Sequence, residues 1–534
     1  MNNGAKKAKN NLCRDFFRHA TTRGKSPALF VDNRLWSYEE LAQHVSSLAG
    51  WIKSVYPAGN TAIGILANRS IEAYIGLLAA LWSGNTYVPL NKRLPTPYIQ
   101  NIIDRAGLRC LIVDPGSSQT LGSLSGPAPH ISPLTLVSPF QPLETPQKHI
   151  LIPPEEISQH QPCLAPVAVS PETTAYIMFT SGSTGRPKGI APTVSNVHWF
   201  LDATQERYCL NKTDRFSQFN DLSWDPSVFD LFSAWKVGAT SYVVPNHQMF
   251  VPSHFIRKHE LTIWYSGPVQ IQQLRHMRQL TPNSFPSLRL SLFVGEPFLA
   301  ESARAWQAAA SNSVVENVYG PTETTVVCLG QPLQDSPDCV TPERGHLAIG
   351  TPYSGATVTI INEHGEQCPD DTVGEIAISG PLVTPGYWKD PELSRATFVT
   401  LAGGNVPCYL TGDLGYRTPH GIFHFVGRKD NQLQLFGVRV EPEEVEYSLR
   451  KITGIDEAAV IGWPTLNGLV TGLVAFVSPG PIDAKQVQKA LSSQLPTHMI
   501  PSRFIVMNSL PRNHNHKVDR NHLNEFLRRQ EEPS

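Results

Sequence analysis

The stretch "AYIMFTSGSTGRPKG" at residues 175–189 joins a mostly apolar run to a loop crowded with glycines and hydroxyl side chains. The first five residues predict a buried strand. Beyond the loop, "TVSNVHWFLDA" (193–203) places apolar residues at helical spacing behind Thr193 or Ser195 as a helix cap. The stretch therefore predicts a strand, a loop and a helix in succession.

Residues 180–189, called the phosphate loop from here on, have the composition of a polyphosphate site. Glycines let backbone amides approach a ligand, hydroxyls donate further hydrogen bonds, and Lys188 adds positive charge. A Walker A loop is excluded because Pro187 precedes the lysine, and a Gly-x-Ser-x-Gly elbow is absent. A flexible surface loop is the alternative for such a composition.

Bulk composition points to a multidomain enzyme of the cytoplasm. The 534 residues exceed what one hydrophobic core usually serves. The formal net charge of −1 gives no global attraction to nucleic acid or to an anionic membrane. The eight cysteines form no Cys-x-x-Cys pair, which favours free thiols in a reducing compartment. Neither the N-terminus nor any apolar run has the pattern of a signal peptide or membrane span.

The order of helical and strand-like segments divides the chain. Helical patterns alternate with short apolar runs through residues 1–330, which predicts a parallel α/β body. Prolines and polar residues dominate 139–172, which reads as an irregular crossing or a disordered insertion. Short strands with turns follow Gly350, and a compact α+β domain is expected to begin near Asp430.

Seven segments occur in the order typical of one enzyme superfamily. They are "WSYEEL" (36–41), "LWSGNTYVPLN" (81–91), the phosphate loop, "NVYGPTETT" (317–325), "YLTGDLG" (409–415), "GRKDNQ" (427–432) and "PRNHNHKVDR" (511–520). Together they resemble the core motifs of the adenylate-forming superfamily, which includes acyl-CoA synthetases, luciferases and the adenylation domains of nonribosomal peptide synthetases.

The resemblance implies a fold and a domain division. A large N-terminal domain, residues 1–429, would contain two α/β subdomains and a small β-barrel-like unit. A small mobile α+β domain, residues 430–534, would close over it as a lid and turn about Asp430 as a hinge. We also expect a monomer.

The resemblance implies ATP and Mg²⁺ as cofactors of a reaction in which a carboxylate attacks the α-phosphorus of ATP and releases pyrophosphate. Lys517 and Lys188 would be catalytic together with Glu323, which would also bring Mg²⁺. Tyr319 would stack on adenine, and Asp413 and Arg428 would hold the ribose hydroxyls. The full set of ATP-binding residues implied is Thr180, Ser181, Gly182, Ser183, Thr184, Gly185, Lys188, Gly295, Glu296, Asn317, Val318, Tyr319, Gly320, Thr322, Asp413, Arg428 and Lys517.

The segment "LSWDPSVFDLFSAW" (222–235) bears on the substrate. Read locally, Asp225 is a helix N-cap, Pro226 takes the first helical position, and an apolar stripe follows. In the amino-acid-activating branch of the superfamily, the matching aspartate receives the α-ammonium of the substrate. One carboxylate could serve both roles with its two oxygens.

The resemblance also implies a side-chain pocket that is apolar except at its polar end. Its members are Asp225, Pro226, Phe229, Tyr265, Leu292, Val294, Val318, Val326 and Val327, with Lys517 beside the polar end. Such a pocket would reject a charged side chain, since the charge would be buried without a partner. The pattern resembles proline-activating domains, and D-alanine, valine or a similar small residue stays open.

The function implied is an AMP-forming amino acid:carrier protein ligase. No carrier motif follows residue 517, so the acyl acceptor would be the phosphopantetheine thiol of a separate carrier protein. An acyl- or aryl-CoA ligase and a non-catalytic nucleotide-binding scaffold are the alternatives. The sequence departs from its relatives at Gln434 and Phe436, where Lys and Arg are common, and at His516, where Gly is usual before the lysine.

Overall fold

The computed structural model describes most of the chain. The described ranges are 10–59, 61–124, 132–144, 148–182, 187–342, 344–401, 406–466, 469–478, 480–512 and 518–531. Within them the protein forms two compact units. The first takes in residues up to Lys92, Ile103–Phe179 and Gly189–Lys429, and the second takes in Arg93–Ile102, Thr180–Lys188 and the residues from Asp430 onward. The role of residues 430–534 as a mobile lid stays a prediction.

A nine-stranded sheet is the largest element of the first unit. In spatial order its strands are Thr351–Pro352, Leu329–Pro332, Val314–Tyr319, Leu290–Phe293, Ile263–Ser266, Arg215–Gln218, Thr240–Val243, Pro27–Val31 and Arg34–Ser37. The six strands from Val314–Tyr319 to Pro27–Val31 in this order run parallel, and the outer strands are antiparallel. The α/β prediction is confirmed.

A second sheet of the first unit is entirely parallel. Its five strands are Thr86–Pro89, Ala62–Leu66, Cys110–Val113, Thr135–Val137 and Ile150–Ile152. Its last strand and the helix Pro154–Ser158 lie in the segment interpreted as an irregular crossing, so that interpretation was incomplete. The strand was missed because three residues between prolines and polar side chains give no periodicity to read.

Helices connect and cover the strands of the first unit. They are Arg14–Thr22, Tyr38–Val55, Ile71–Trp82, Ser118–Leu124, Pro154–Ser158, Val194–Tyr208, Pro226–Val228, Ala234–Val237, Ser253–Lys258, Val269–His276, Ala300–Ala309 and Pro391–Thr397. A further helix, Thr96–Ala106, begins in the second unit and ends in the first. Ile71–Trp82 is buried at every position. Apart from Glu72 the helix is apolar on every side, as expected for a helix in the interior of a large core.

A third sheet of the first unit is antiparallel and corresponds to the β unit predicted after Gly350. Its strands are Thr357–Ile361, Gly374–Ser379, Cys408–Arg417 and Phe398–Val399, and Phe423–Arg428 pairs with Cys408–Arg417. The last two long strands form a ladder in which Asp413 lies opposite Arg428.

The C-terminal residues of the second unit form an α+β arrangement. The strands are Val438–Val440, Leu433–Leu435, Leu469–Val470 and Thr465–Leu466 in one sheet, and Glu457–Gly462, Leu473–Ser478 and Arg503–Val506 in another. The helices are Pro442–Thr453, Ala484–Ser492 and Arg520–Glu531. Across the described ranges of both units, no helix combines the length and apolar character needed to cross a membrane.

Candidate active site

The phosphate loop lies between the strands Met178–Thr180 and Lys188–Ile190. The helix Val194–Tyr208 follows and begins at the cap Thr193, whose hydroxyl accepts from the Asn196 amide at 3.2 Å. The Asn196 side chain accepts in return from the Thr193 amide at 2.9 Å, which completes a capping box. The predicted strand, loop and helix are confirmed, with Thr193 rather than Ser195 as the cap.

Within the second unit, donors of the phosphate loop hold carboxylates. The Gly182 amide donates to Glu444 Oε2 at 3.2 Å, and Lys188 Nζ lies 3.9 Å from Glu441 Oε1. Burial raises the pKa of Glu444 to about 7, with the Gly182 hydrogen bond opposing and the charge of Glu441 reinforcing the shift. The loop therefore presents its amide and its ammonium to anionic oxygens.

The two hydroxyl side chains at the start of the phosphate loop differ in their hydrogen bonds. Ser181 donates to the Arg439 carbonyl at 2.8 Å. The Thr180 hydroxyl is shielded from solvent and has no hydrogen-bond partner among the described residues. The predicted members Ser183, Thr184 and Gly185, and also Lys517, lie outside the described residues.

Tyr319, Asp413 and Arg428 come together in the first unit. The Tyr319 hydroxyl donates to Asp413 Oδ2, and Arg428 Nη1 donates to Asp413 Oδ1 at 2.6 Å and to the Thr411 carbonyl at 2.8 Å. Burial, then the charge of Asp413, raises the pKa of Tyr319 well above its ordinary value. The phenol is therefore neutral, and its orientation is fixed by a hydrogen bond to a charged group.

The other residues implied for the nucleotide lie at neighbouring strand ends. Asn317 is paired with Phe293 on the adjacent parallel strand, and its side-chain amide donates to the Ala348 carbonyl at 2.8 Å. Gly295 follows the same neighbouring strand with a φ of 92°, a left-handed conformation that suits glycine, and the half-buried Glu296 comes next. Ligands of α/β sheets commonly bind at this carboxyl edge.

A tight turn follows the strand Val314–Tyr319. Thr325 and Val326 have φ values of 59° and 73°, a conformation that β-branched residues rarely adopt. A Cβ on Gly320 would lie 2.4 Å from Val327 Cα and 2.8 Å from the Val326 carbonyl oxygen, so only glycine fits there. The Thr325 hydroxyl donates to the Leu382 carbonyl at 2.7 Å and ties the turn down.

Glu323 sits in this turn with no exposed surface. Its Oε1 accepts from the Tyr387 hydroxyl at 2.8 Å, and its backbone carbonyl accepts from the Thr384 amide at 3.0 Å. The described part of the chain contains no group of three or more His, Cys, Asp or Glu side chains placed to hold a metal. Mg²⁺ fits a single carboxylate here, because it is commonly bound by one or two carboxylates together with substrate phosphates.

The residues implied for the side-chain pocket belong to one hydrophobic cluster. Phe229, Tyr265, Leu292, Val318, Val326 and Val327 are buried members, Val294 packs against them, and Pro226 is buried beside Asp225. Tyr265 and Leu292 lie opposite each other on adjacent parallel strands. The ring of Phe229 meets that of Tyr265 edge-on at 5.4 Å. The Tyr265 hydroxyl is shielded and has no partner among the described residues.

Asp225 does not cap the helix with its side chain, so the predicted capping role was wrong. Pro226 does take the first helical position, but Asp225 itself has helical angles and its carboxylate makes no capping hydrogen bond. The carboxylate instead interacts with the Thr322 hydroxyl and the Val326 amide, and Oδ2 is shielded with no partner among the described residues. The backbone amide of Asp225 itself also interacts with the carboxylate.

The electrostatics around Asp225 follow from its burial. Burial raises its pKa from 3.8 to about 7, the hydrogen bond from Thr322 opposes the shift, and the charge of Glu323 adds to it. Burial, then the Asp225 charge, raises the pKa of Tyr176 and of Tyr265 well above their ordinary value. The Asp225 carboxylate therefore lies near two neutral phenols, those of Tyr176 and Tyr265.

The remaining predicted positions lie in the second unit. Asp430 Oδ1 accepts from the Gln432 amide at 3.2 Å. Phe436, one of the departures from relatives, has a φ of 53° in the two-residue turn between Leu433–Leu435 and Val438–Val440, and its side chain is exposed.

Sequence reasoning missed three residues of this region. Tyr176 has a shielded hydroxyl without a partner in the described ranges, and Thr384 and Tyr387 contact Glu323. The tyrosine in "AYIMF" was interpreted only as part of a strand. The segment "TPGYWKD" (384–390) reads as an ordinary turn, and nothing in its spacing points to Glu323.

Known proteins resemble this chain over nearly its whole length. The AMP-binding enzyme family matches residues 16–388, and the AMP-binding enzyme C-terminal domain matches 444–517. An L-proline--[L-prolyl-carrier protein] ligase of Pseudomonas fluorescens is 30% identical over 515 residues, covering 95% of this chain and 98% of that protein. A D-alanine--D-alanyl carrier protein ligase of Bacillus cereus is 29% identical over 498 residues, covering 91% and 94%.

Solved structures give the same picture. The adenylation domain AlmE of Vibrio cholerae, in complex with glycyl-adenosine-5'-phosphate, has a TM-score of 0.84 at 29% identity and covers 98% of each chain. The predicted resemblance and fold class, with a large N-terminal domain and a smaller C-terminal one, are confirmed. The chain therefore belongs to the AMP-binding enzyme family.

Proposed function

We propose that the protein is an AMP-forming amino acid:carrier protein ligase with L-proline as its substrate. Asp225 carries the proposal. Its Oδ2 is shielded and has no partner among the described residues, and the side chains implied for the pocket belong to a buried, mainly apolar cluster. A buried carboxylate is costly unless a cation pairs with it, and the α-ammonium of an amino acid is such a cation. A fatty or aryl acid would leave the charge unpaired.

The residues proposed for the pocket beside Asp225 favour an amino-acid substrate with a small apolar side chain. Phe229, Leu292 and the neighbouring valines offer apolar surface, and Tyr265 contributes a neutral phenol. The prolyl and D-alanyl carrier protein ligases that match the chain act on such amino acids, as their names state. D-alanine and valine are the nearest competitors of L-proline for this pocket.

In the proposed first step, a carboxylate oxygen of the amino acid attacks the α-phosphorus of ATP. The bond from that phosphorus to the bridging oxygen of the β-phosphate breaks, and pyrophosphate leaves. The phosphate loop and Lys188 would hold the leaving phosphates, since in this structure the Gly182 amide and the Lys188 ammonium already face carboxylate anions. Lys517 would steady the substrate carboxylate.

Mg²⁺ held by Glu323 would neutralise negative charge on the phosphates. Tyr319 would present its ring to adenine while its hydroxyl is engaged by Asp413, and Asp413 with Arg428 would receive the ribose hydroxyls. Gly295, Glu296 and Asn317 would line the base site at the strand ends. The remaining loop residues would cradle the triphosphate.

In the proposed second step, the thiol of a carrier protein's phosphopantetheine attacks the acyl carbon, a thioester forms and AMP leaves. A turn of residues 430–534 about Asp430 would exchange the faces that serve the two steps. Gln434 and Phe436 replace the basic residues common in relatives, which favours a carrier protein over free CoA as the acceptor. A basic side chain would bind the phosphates of the nucleotide part of CoA. The phosphopantetheine of a carrier protein has no such nucleotide part.

Exchange of labelled pyrophosphate into ATP, measured over a panel of amino acids, tests the proposal. We expect exchange with L-proline above that with D-alanine or valine. Exchange with a different amino acid would refute only the choice of proline. No exchange with any amino acid, together with CoA thioester formation from fatty or aryl acids, would favour a CoA ligase. No reaction with any acid would favour a nucleotide-binding scaffold.

A further inference from the structure

Residues Thr384–Trp388, called the Glu323 strap, hold the buried carboxylate of Glu323. The Tyr387 hydroxyl donates to Glu323 Oε1 at 2.8 Å, and the Thr384 amide donates to the Glu323 carbonyl at 3.0 Å. Tyr387 is 6% exposed and Glu323 is 0% exposed, so water does not compete for the hydroxyl hydrogen bond. Side chain and backbone of Glu323 are thus fixed by the same short segment.

The strap also joins the strand that begins at Lys188. The Trp388 amide donates to the Gly189 carbonyl at 2.7 Å, and Tyr387 forms an antiparallel bridge with Ile190. A Cβ on Gly189 would come within 3.1 Å of the Trp388 Cβ and of the Phe179 ring, so glycine permits this close approach. The position of Glu323 is therefore coupled to the strand that leaves the phosphate loop.

A tyrosine hydroxyl suits a carboxylate that must bind a cation. It donates to one oxygen and orients the carboxylate, but it carries no charge and so does not neutralise the negative charge that attracts a metal. A lysine or arginine in its place would pair with the carboxylate and compete with the metal. Partners of this kind behind metal ligands typically change metal affinity by about 10- to 100-fold when they are removed.

We propose that Tyr387 is a positioning residue that orients Glu323 for Mg²⁺. The inference rests on the proposed function, in which Glu323 brings the metal. The phenol sets the direction of the Glu323 carboxylate, and the Glu323 strap keeps that carboxylate in register with the strand from Lys188. Loss of the hydroxyl removes this hydrogen bond from the buried carboxylate and should weaken the control of its orientation.

Binding of Mn²⁺, measured by electron paramagnetic resonance with α,β-methylene-ATP and the full chain, tests the proposal without turnover. Tyr387→Phe removes only the hydroxyl and is expected to weaken Mn²⁺ binding by about 10- to 100-fold. Tyr38→Phe is the matched control, because the buried Tyr38 hydroxyl donates to the Ala239 carbonyl at 2.7 Å. Both variants lose one buried tyrosine hydrogen bond and should show similar melting temperatures, but Tyr38→Phe should bind Mn²⁺ like the wild type.

A third variant, Glu323→Gln, distinguishes the positioning role of Tyr387 from the metal-binding role of Glu323. If Glu323→Gln weakens Mn²⁺ binding and Tyr387→Phe binds it like Tyr38→Phe, the positioning role is overturned and the metal role of Glu323 survives. If neither variant weakens binding, both fail. In pyrophosphate exchange, raised Mg²⁺ should restore the rate of Tyr387→Phe, and a general packing defect would not respond to the metal.

Discussion

Replacement of Asp225 by asparagine should change activity and stability in opposite directions. The substitution keeps the shape of the side chain but removes the charge that would pair with the substrate ammonium. Removal of one partner from a buried ion pair costs about 3–5 kcal/mol. In kcat/KM for amino-acid-dependent exchange this corresponds to a loss of roughly a hundred- to several-thousand-fold.

The unliganded protein should gain stability from the same substitution. Burial raises the pKa of Asp225 from 3.8 to about 7, so above pH 7 the folded protein holds an ionised carboxylate at a cost. That shift amounts to a penalty on the order of 4 kcal/mol. As pH falls from 7 toward 4, the folded protein takes up the proton before the unfolded chain does, and the penalty disappears. Asp225→Asn should therefore stabilise most at pH 8 and little at pH 4.

The pH profile adds a second signature. The ammonium requires an ionised Asp225, so kcat/KM of the wild type should fall about tenfold per pH unit below 7. The profile of Asp225→Asn should lack this limb. Urea unfolding at several pH values and exchange kinetics over the same range provide the two measurements.

Asp214→Asn is the matched control. Asp214 is a buried aspartate that accepts from Arg289 at 2.6 and 2.7 Å, so its amide variant should lose stability and keep exchange activity. If Asp225→Asn kept the wild-type kcat/KM and pH profile, Asp225 would not bind an ammonium. If it lost stability as Asp214→Asn does, the burial cost assigned to Asp225 would be wrong.

Three further substitutions have defined outcomes. Tyr319→Phe removes a hydrogen bond to the charged Asp413 and should raise KM for ATP roughly tenfold, with KM for the amino acid unchanged in the same steady-state assay. Phe436→Asn should raise the free energy of unfolding by about 0.5–1 kcal/mol in urea titration, because Phe436 and Gly437 have φ values of 53° and 77° and Asn-Gly suits such a turn. Gly320→Ala should abolish exchange and lower the melting temperature, since its Cβ would lie 2.4 Å from a backbone atom, and wild-type behaviour would contradict the close packing.

Short-range sequence patterns, such as helix caps and apolar periodicity, predicted the elements whose structure depends on neighbouring residues in the chain. The cap at Thr193 and its partner Asn196 lie three residues apart, and the helix they start carries its own apolar periodicity. Strands of the large sheet were readable for the same reason, because their apolar runs are short and bounded by turns. The three-residue strand Ile150–Ile152 carries too little pattern and forms because a sheet edge is available to it.

The contacts within the candidate site could not be read from the sequence. The family resemblance implied nucleotide-binding roles for Tyr319, Asp413 and Arg428, and the structure joins these three residues by hydrogen bonds. Spacing could not reveal the interaction of Asp225 with Thr322, because Thr322 lies far along the chain, in the turn after the strand Val314–Tyr319. Contacts between residues so far apart in the chain exist only in the folded protein, and local sequence patterns do not encode them.

The turn at Thr325 and Val326 has a backbone conformation that β-branched residues disfavour, so these two side chains need a reason to be there. Backbone strain of this kind costs about 1–3 kcal/mol per residue and persists only where surrounding contacts impose it. Glycine would relax the turn, but glycine at Thr325 would lose the hydroxyl that donates to the Leu382 carbonyl. Glycine at Val326 would lose an apolar side chain of the pocket, although its amide could still meet Asp225. We infer that the turn keeps two β-branched residues because the Thr325 hydroxyl anchors it and the Val326 side chain belongs to the apolar cluster. Glycine at these positions would relieve the strain but would provide neither side chain.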